Sequence, residues 1–142
     1  MTLNNLAMHY RDQGRYADAE SLFKRTIGIL EYALGSDHPY FAWSLSNLAG
    51  LFIAQGRYAE AEPLYKYSLI ISEKVLGPDH PRVGLSLSNQ AGLYRAQGRY
   101  AEAEPLYKRS LKIREKVLGP DHSAVGTTLN NLAGLYSGSV LT

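Results

Sequence analysis

The sequence is 142 residues long, with a formal net charge of +2 and no cysteine. That charge is too mild to point to nucleic acid, whose partners carry a clustered basic face. Without cysteine there is neither a disulfide framework nor thiolate chemistry. No apolar run approaches the roughly 18 residues of a membrane span, and Met1-Thr2-Leu3-Asn4-Asn5 lacks the charged and apolar regions of a signal peptide. The expectation is a cytoplasmic chain with no nucleic-acid and no membrane partner.

In chain order the first landmark is Gly14-Arg15-Tyr16-Ala17-Asp18-Ala19-Glu20. It returns as Gly56-Arg57-Tyr58-Ala59-Glu60-Ala61-Glu62 and again, almost letter for letter with the second copy, from Gly98. A period of about 42 residues falls in the range of stacked repeat architectures. In register, Leu3, Leu45, Leu87 and Leu129 align, and Tyr10, Phe52, Tyr94 and Tyr136 close each segment. In the second copy Leu45, Leu48, Ala49 and Phe52 lie at i, i+3, i+4 and i+7, one face of an amphipathic helix, helix A. Gln55-Gly56-Arg57 interrupts it, with glycine suited to the positive φ of a tight turn. A second periodic run, helix B, carries Ala61, Leu64, Tyr65, Ser68, Ile71 and Leu76. Small Ala61 lets the two helices approach and Tyr65 fills the groove beside it. Pro63 sits about two turns into helix B, where a missing N–H costs less than in the interior, so a slight kink is expected.

Helix B stops at Gly77-Pro78, glycine at the left-handed cap and proline beyond it. Asp79-His80-Pro81 restarts the chain near an N-cap. Gly35-Ser36-Asp37-His38-Pro39 and Gly119-Pro120-Asp121-His122-Ser123 are the cognate loops. Their three histidines are one repeat apart and cannot share a metal, so they read as caps. Helices are thus predicted at about 1–13, 16–34, 39–54, 58–76, 81–96, 100–118 and 123–136. The fold class is all-α. The repeats run over about 1–38, 39–80 and 81–122, with a half repeat at 123–136, all in one domain over 1–136. After Tyr136 the period fails, and Ser137-Gly138-Ser139-Val140-Leu141-Thr142 reads as a disordered tail. His9 stands where the other copies have Leu51, Leu93 and Leu135, which suits an end with no preceding helix B. The last helix A has no helix B after it, so its apolar face, Leu132 and Tyr136 included, is expected half bare. Self-association through the terminal repeats, or a longer parent protein, follows.

The pattern Leu45…Leu48-Ala49…Phe52…Gly56…Tyr58…Ala61…Tyr65 resembles the tetratricopeptide repeat (TPR). The long spacing and the Gly-Pro-Asp-His-Pro loop resemble the variant found in kinesin light chain and in many bacterial repeat proteins. The resemblance covers about residues 1–136 and implies an α-solenoid, a right-handed superhelix of antiparallel helix pairs with about three and a half repeats and seven helices. Two features depart from the pattern: the proline that ends helix B in the shorter repeat is absent, and Thr26, Ser68 and Ser110 replace a usual small alanine. No heptad segment like that of kinesin light chain is present, which leaves the binding module rather than the motor role.

In such superhelices the A helices line a concave groove, and helix A has a second stripe separate from its core face. It reads Asn5 in the first copy; Trp43, Asn47, Gly50 and Ile53 in the second; Asn89, Gly92 and Arg95 in the third; and Asn131 with Gly134 in the last. Asparagine gains nothing in an exposed helix interior, but its amide matches the donor and acceptor of an extended peptide. The resemblance gives this asparagine contact with ligand backbone. Glycine one turn on lets a chain approach. The competing reading is that each asparagine bonds a neighbouring repeat and that the small residues serve helix packing. Comparing the two near-identical copies, Tyr40, Trp43, Ile53, Tyr67 and Ile70 face Arg82, Leu85, Arg95, Arg109 and Lys112. Apolar clusters tend to mark interaction sites, so Trp43 and Ile53 are expected to form an apolar pocket floor flanked by Asn47, Asn89 and Arg95.

Gln90 occupies a core position held elsewhere by Leu6, Leu48 and Leu132. Glu60, Glu62, Glu102 and Glu104 sit where the helix dipole favours anions, Lys74 and Lys116 where it favours cations. Lys108, Arg109, Lys112, Arg114 and Lys116 read as a solvated basic outer face. There is no phosphate-binding loop, nucleophile elbow or metal-spaced histidine pair, so no enzyme, no metal and no cofactor is expected. The reading is a protein–protein interaction module taking a peptide in the groove, with a self-associating spacer or consensus-like scaffold as the alternative.

Overall fold

The computed structural model describes residues 3–141, with side chains through residue 137. Seven helices follow one another: α1 (Leu3–Asp12), α2 (Tyr16–Leu34), α3 (Pro39–Ala54), α4 (Tyr58–Leu76), α5 (Pro81–Ala96), α6 (Tyr100–Leu118) and α7 (Ser123–Leu141). The first two residues of the expected opening helix lie outside the described residues. The helices gather into two compact units, residues 1–71 and 72–142, divided within α4.

In the first unit α2 packs between α1 and α3. Ala7, Ala19, Phe23 and Ala61 are fully buried and Tyr65 nearly so, as the spacing of small and large residues predicts. Phe41, Ala42, Leu45 and Ile71 form a core with Ile27, Leu30 and Leu64. In the second unit Ala91, Tyr94, Ala103, Tyr107, Leu132 and Leu135 form the matching core.

The buried hydroxyls explain the departure from alanine. Ser68 Oγ donates to the Ala42 carbonyl at 2.9 Å, and because it has one proton, Ser46 Oγ donates to Ser68 at 2.8 Å. The second unit repeats the relay, Ser88 to Ser110 at 2.7 Å and Ser110 to the Gly84 carbonyl at 2.7 Å. Helix A and helix B are tied by it. Thr26, at the matching place in α2, instead bonds its own Leu22 carbonyl at 2.9 Å.

The turns follow their punctuation. Gly56 and Gly77 have φ of +73° and +93°, a region that side chains with Cβ avoid. The loop histidines are the caps: Nδ1 of His38, His80 and His122 accepts from the backbone N–H of Tyr40, Arg82 and Ala124 at 3.1, 3.1 and 3.0 Å. Each turn arginine has a further role. Arg15, Arg57 and Arg99 stack over Tyr10, Phe52 and Tyr94 at 4.1, 4.3 and 4.2 Å and pair with the carboxylate three residues on. Arg57 also reaches Glu20 at 2.6 Å. Lys24 and Arg57 hold the Glu20 carboxyl below its ordinary range.

Three expectations are corrected. Arg114 does not belong to a solvated face: it is 8% exposed, on the buried side of α6, while Lys108, Arg109 and Lys116 do pair at the surface with Glu104, Glu73 and Asp79. Helical backbone continues through Leu141 where a tail was expected, since the segment has no proline and its one glycine weakens a helix by only about 1 kcal/mol. Thr142 lies outside the described residues. On α7 the bare positions are Leu129 and Tyr136, 48% and 43% exposed, whereas Leu132 is buried. α4 runs as one helix through Pro63, and His9 is exposed where Leu51, Leu93 and Leu135 are buried.

Gln90 is 5% exposed. Its Nε2 donates to the Tyr94 hydroxyl at 3.0 Å, but its Oε1 is buried without a partner. An unpaired buried acceptor costs about 1–3 kcal/mol. Gln90→Leu is therefore expected to raise the urea midpoint; a lower midpoint would show that the bond to Tyr94 outweighs the orphan oxygen.

Candidate functional site along the A helices

Residues four apart share a helix face, and the A helices present the predicted stripe in each unit. In the first unit Asn5 of α1 and Trp43 of α3 are exposed, with Asn47, Gly50 and Ile53 half-buried. In the second, Asn89 and Gly92 of α5 and Asn131 and Gly134 of α7 are half-buried and Arg95 is exposed.

Asn5 and Trp43 meet in a cleft of about 500 Å³ between α1, α2 and α3, whose other walls are Leu3, Asn4, Thr26, Leu30 and Tyr40. Ile53 is not part of it. About ten residues further along α3, at 1.5 Å per residue, it stands about 15 Å from Trp43. The expected floor of Trp43 with Ile53 is thus replaced by Trp43 with Leu3, Leu30 and Tyr40. No charged residue is among the described walls. Asn47 Nδ2 is buried with no hydrogen-bond partner, so at this position a bond to a neighbouring repeat is not what holds the asparagine.

The glycines of the stripe face tyrosine hydroxyls. A Cβ built on Gly50 would stand 3.9 Å from Tyr65 Oη, and one on Gly92 would stand 3.7 Å from Tyr107 Oη. These are ordinary contact distances, so the chain's own packing leaves room for alanine. Burial pushes the Tyr65 hydroxyl up to about 12, keeping it neutral. Burial also raises Tyr107, while the positive charge of Arg95 works against that rise. The Arg95 guanidinium lies across Gly134, with Nη2 2.9 Å from where a Cβ would be. Glycine at 134 therefore gives Arg95 its seat.

Leu3, Asn4, Thr26 and Leu30 were not among the residues expected from sequence. A signal existed at Leu30, an apolar residue where the matched positions hold Ser72 and Arg114. Among the described residues no group of three His, Asp or Glu side chains could hold a metal ion, and no helix is long and apolar enough to cross a membrane.

The family model described as tetratricopeptide repeat matches three overlapping stretches, residues 1–69, 40–116 and 83–139. Among solved structures, a Podosopora anserina protein described as a kinesin light chain with nearly identical TPR-like repeats superposes with a TM-score of 0.87 at 28% identity, covering 96% of this chain and 65% of that one. BtubC (BKLC) from P. vanneervenii superposes at 0.88 with 22% identity, covering 96% and 55%. This chain therefore spans less than two thirds of either. The first TPR of Spaghetti (RPAP3), bound to the HSP90 peptide SRMEEVD, superposes at 0.68 with 17% identity, covering 99% and 91%. No curated protein matches.

Proposed function

The chain belongs to the tetratricopeptide repeat family, and on that premise we propose that it is a non-catalytic interaction module holding an extended peptide or partner segment along the stripe of its A helices. The observation that carries this reading is the pair Gly50 and Gly92. Each sits inside a helix, where glycine costs about 1 kcal/mol relative to alanine, and at each the molecule has room for a Cβ. A cost that internal packing does not require is accounted for by a backbone that must come close from outside. Asn89, one turn before Gly92, offers the paired donor and acceptor of a peptide group, and Arg95 offers a cation to an acidic residue on the partner. The Spaghetti domain, of the same fold, holds a peptide of that acidic kind.

Selection of peptides from a random display library on the folded chain tests this. Enriched peptides are expected to lose at least tenfold in affinity, about 1.4 kcal/mol, with Asn47→Ala and Asn89→Ala. Gly50→Ala and Gly92→Ala are expected to raise the thermal midpoint, each adding up to about 1 kcal/mol of helix propensity, while weakening the same peptides. A chain that selects nothing while remaining helical removes the reading.

A second reading, association of copies through α7, has its own observation. Leu129 and Tyr136 are exposed where their matches in α5, Leu87 and Tyr94, are buried. Sedimentation would then show a concentration-dependent dimer that Leu129→Glu dissolves.

A further inference from the structure

We propose that the pocket between the loop after α4 and the exposed face of α6 binds a carboxylate side chain, that of a glutamate in an acidic segment of a protein partner. The site is separate from the stripe of the A helices and gives the chain a second point of contact with its own chemistry.

Arg109, Lys112, Ile113 and Lys116 lie at i, i+3, i+4 and i+7 of α6, so one helix face carries all four. With Asp79 they line a pocket of about 340 Å³. Its walls come from the middle of the chain, and both are in place.

Cations outnumber carboxylates there. Arg109 Nη1 reaches Glu73 Oε1 at 2.6 Å, and Lys116 Nζ reaches Asp79 Oδ2 at 2.9 Å. Lys112, one turn from each, has no carboxylate within ion-pair distance among the described residues. Three cations against two carboxylates leave one positive charge. A single carboxylate balances it, whereas a doubly charged phosphate would exceed it. The two existing pairs also show these donors holding carboxylate oxygens, and both the guanidinium and the ammonium keep further N–H groups to give. All three cations act where Asp79 stands: Lys116 first, then Arg109 and Lys112, hold its carboxyl below the ordinary range. Ile113, 4% exposed, supplies an apolar floor on which the methylene stem of a glutamate can lie.

The charge is particular to this helix. Between residues 45–80 and 87–122 the two copies differ at six positions, and two of the six are Tyr67 against Arg109 and Ile70 against Lys112. In α2 the matched places hold Arg25, Gly28 and Tyr32. Glu73 and Asp79 account for Arg109 and Lys116 within the chain. No described residue does so for Lys112, which a carboxylate from outside would complete.

Nuclear magnetic resonance of the isotope-labelled chain tests the site. The probe is a tri-glutamate peptide, acetylated and amidated at its ends. It is expected to shift the amides of residues 79 and 109–116 saturably, and less so as salt screens the pairing. The tri-glutamine counterpart is expected to shift none of them. Lys112→Ile installs the residue of the preceding copy and is expected to weaken the acidic probe at least tenfold, about 1.4 kcal/mol. Lys112→Arg is expected to retain it, and Asn89→Ala, on the separate stripe, to leave it unchanged. No saturable shift, an equal response to tri-glutamine, shifts spread evenly over the helices, or binding that survives Lys112→Ile would each overturn the proposal. So would inorganic phosphate shifting the same amides at a tenth of the concentration, since the pocket would then select phosphate. If Lys112→Ile does not fold, Lys112→Gln decides in its place.

Discussion

Tyr107→Ala is expected to lower the unfolding free energy by about 3–5 kcal/mol, the range for removing a large aromatic from a packed core. Tyr107 is 2% exposed and lies in a core with Ala91, Tyr94, Ala103, Leu132 and Leu135. Two of those neighbours are alanines on rigid helices, too short to collapse into the space left behind. Tyr107→Phe separates ring from hydroxyl. It keeps the packing and gives up only the hydroxyl's electrostatic interaction with Arg95, a net loss of at most about 1.5 kcal/mol. Urea unfolding of both variants checks the argument. An alanine variant no weaker than the phenylalanine one would mean that the ring does not support the core.

The second large effect has the opposite sign. Arg114→Met is expected to stabilise the chain by about 1–4 kcal/mol, as replacement of buried charged groups by apolar ones of similar volume often does. The partners described for the Arg114 guanidinium are a carbonyl and a hydroxyl, neither of which balances its charge. Burial accordingly lowers its pKa. Removal orphans little, because Thr128 Oγ1 also donates to the Ala124 carbonyl at 2.8 Å. A methionine stem would lie against Gly84 much as the arginine stem does. A fall in stability on Arg114→Met would assign the charge a structural duty at the start of α7.

These two residues also show what could be read in advance. Tyr107 was legible because it repeats Tyr65 at the same step of the same amphipathic pattern. Arg114 was legible too, on the row Ala103, Tyr107, Ser110, but grouping by charge put it with Lys112 and Lys116 on the outside. Helix ends came from glycine and proline punctuation and agree closely, since those residues act through their own backbone. The serine relays did not announce themselves, because a serine inside a helix reads as a small residue until its partner helix is in place. In sequence the turn arginines read as turn residues only; their stacking needs the end of one helix laid against the start of the next. The cleft beside Trp43 depends on three helices at once, which is why Trp43 and Asn5 were expected and Asn4 and Leu30 were not.

The serine relays have a consequence for how such a chain can change in length. Ser46, Ser68 and Ala42 satisfy one another within a single repeat, and so do Ser88, Ser110 and Gly84. Duplicating or deleting a whole repeat therefore leaves none of these relay hydroxyls stranded. Gene duplication can lengthen the array in whole increments, and each new copy is then free to drift on its A-helix stripe, as Trp43 against Leu85 and Ile53 against Arg95 already have.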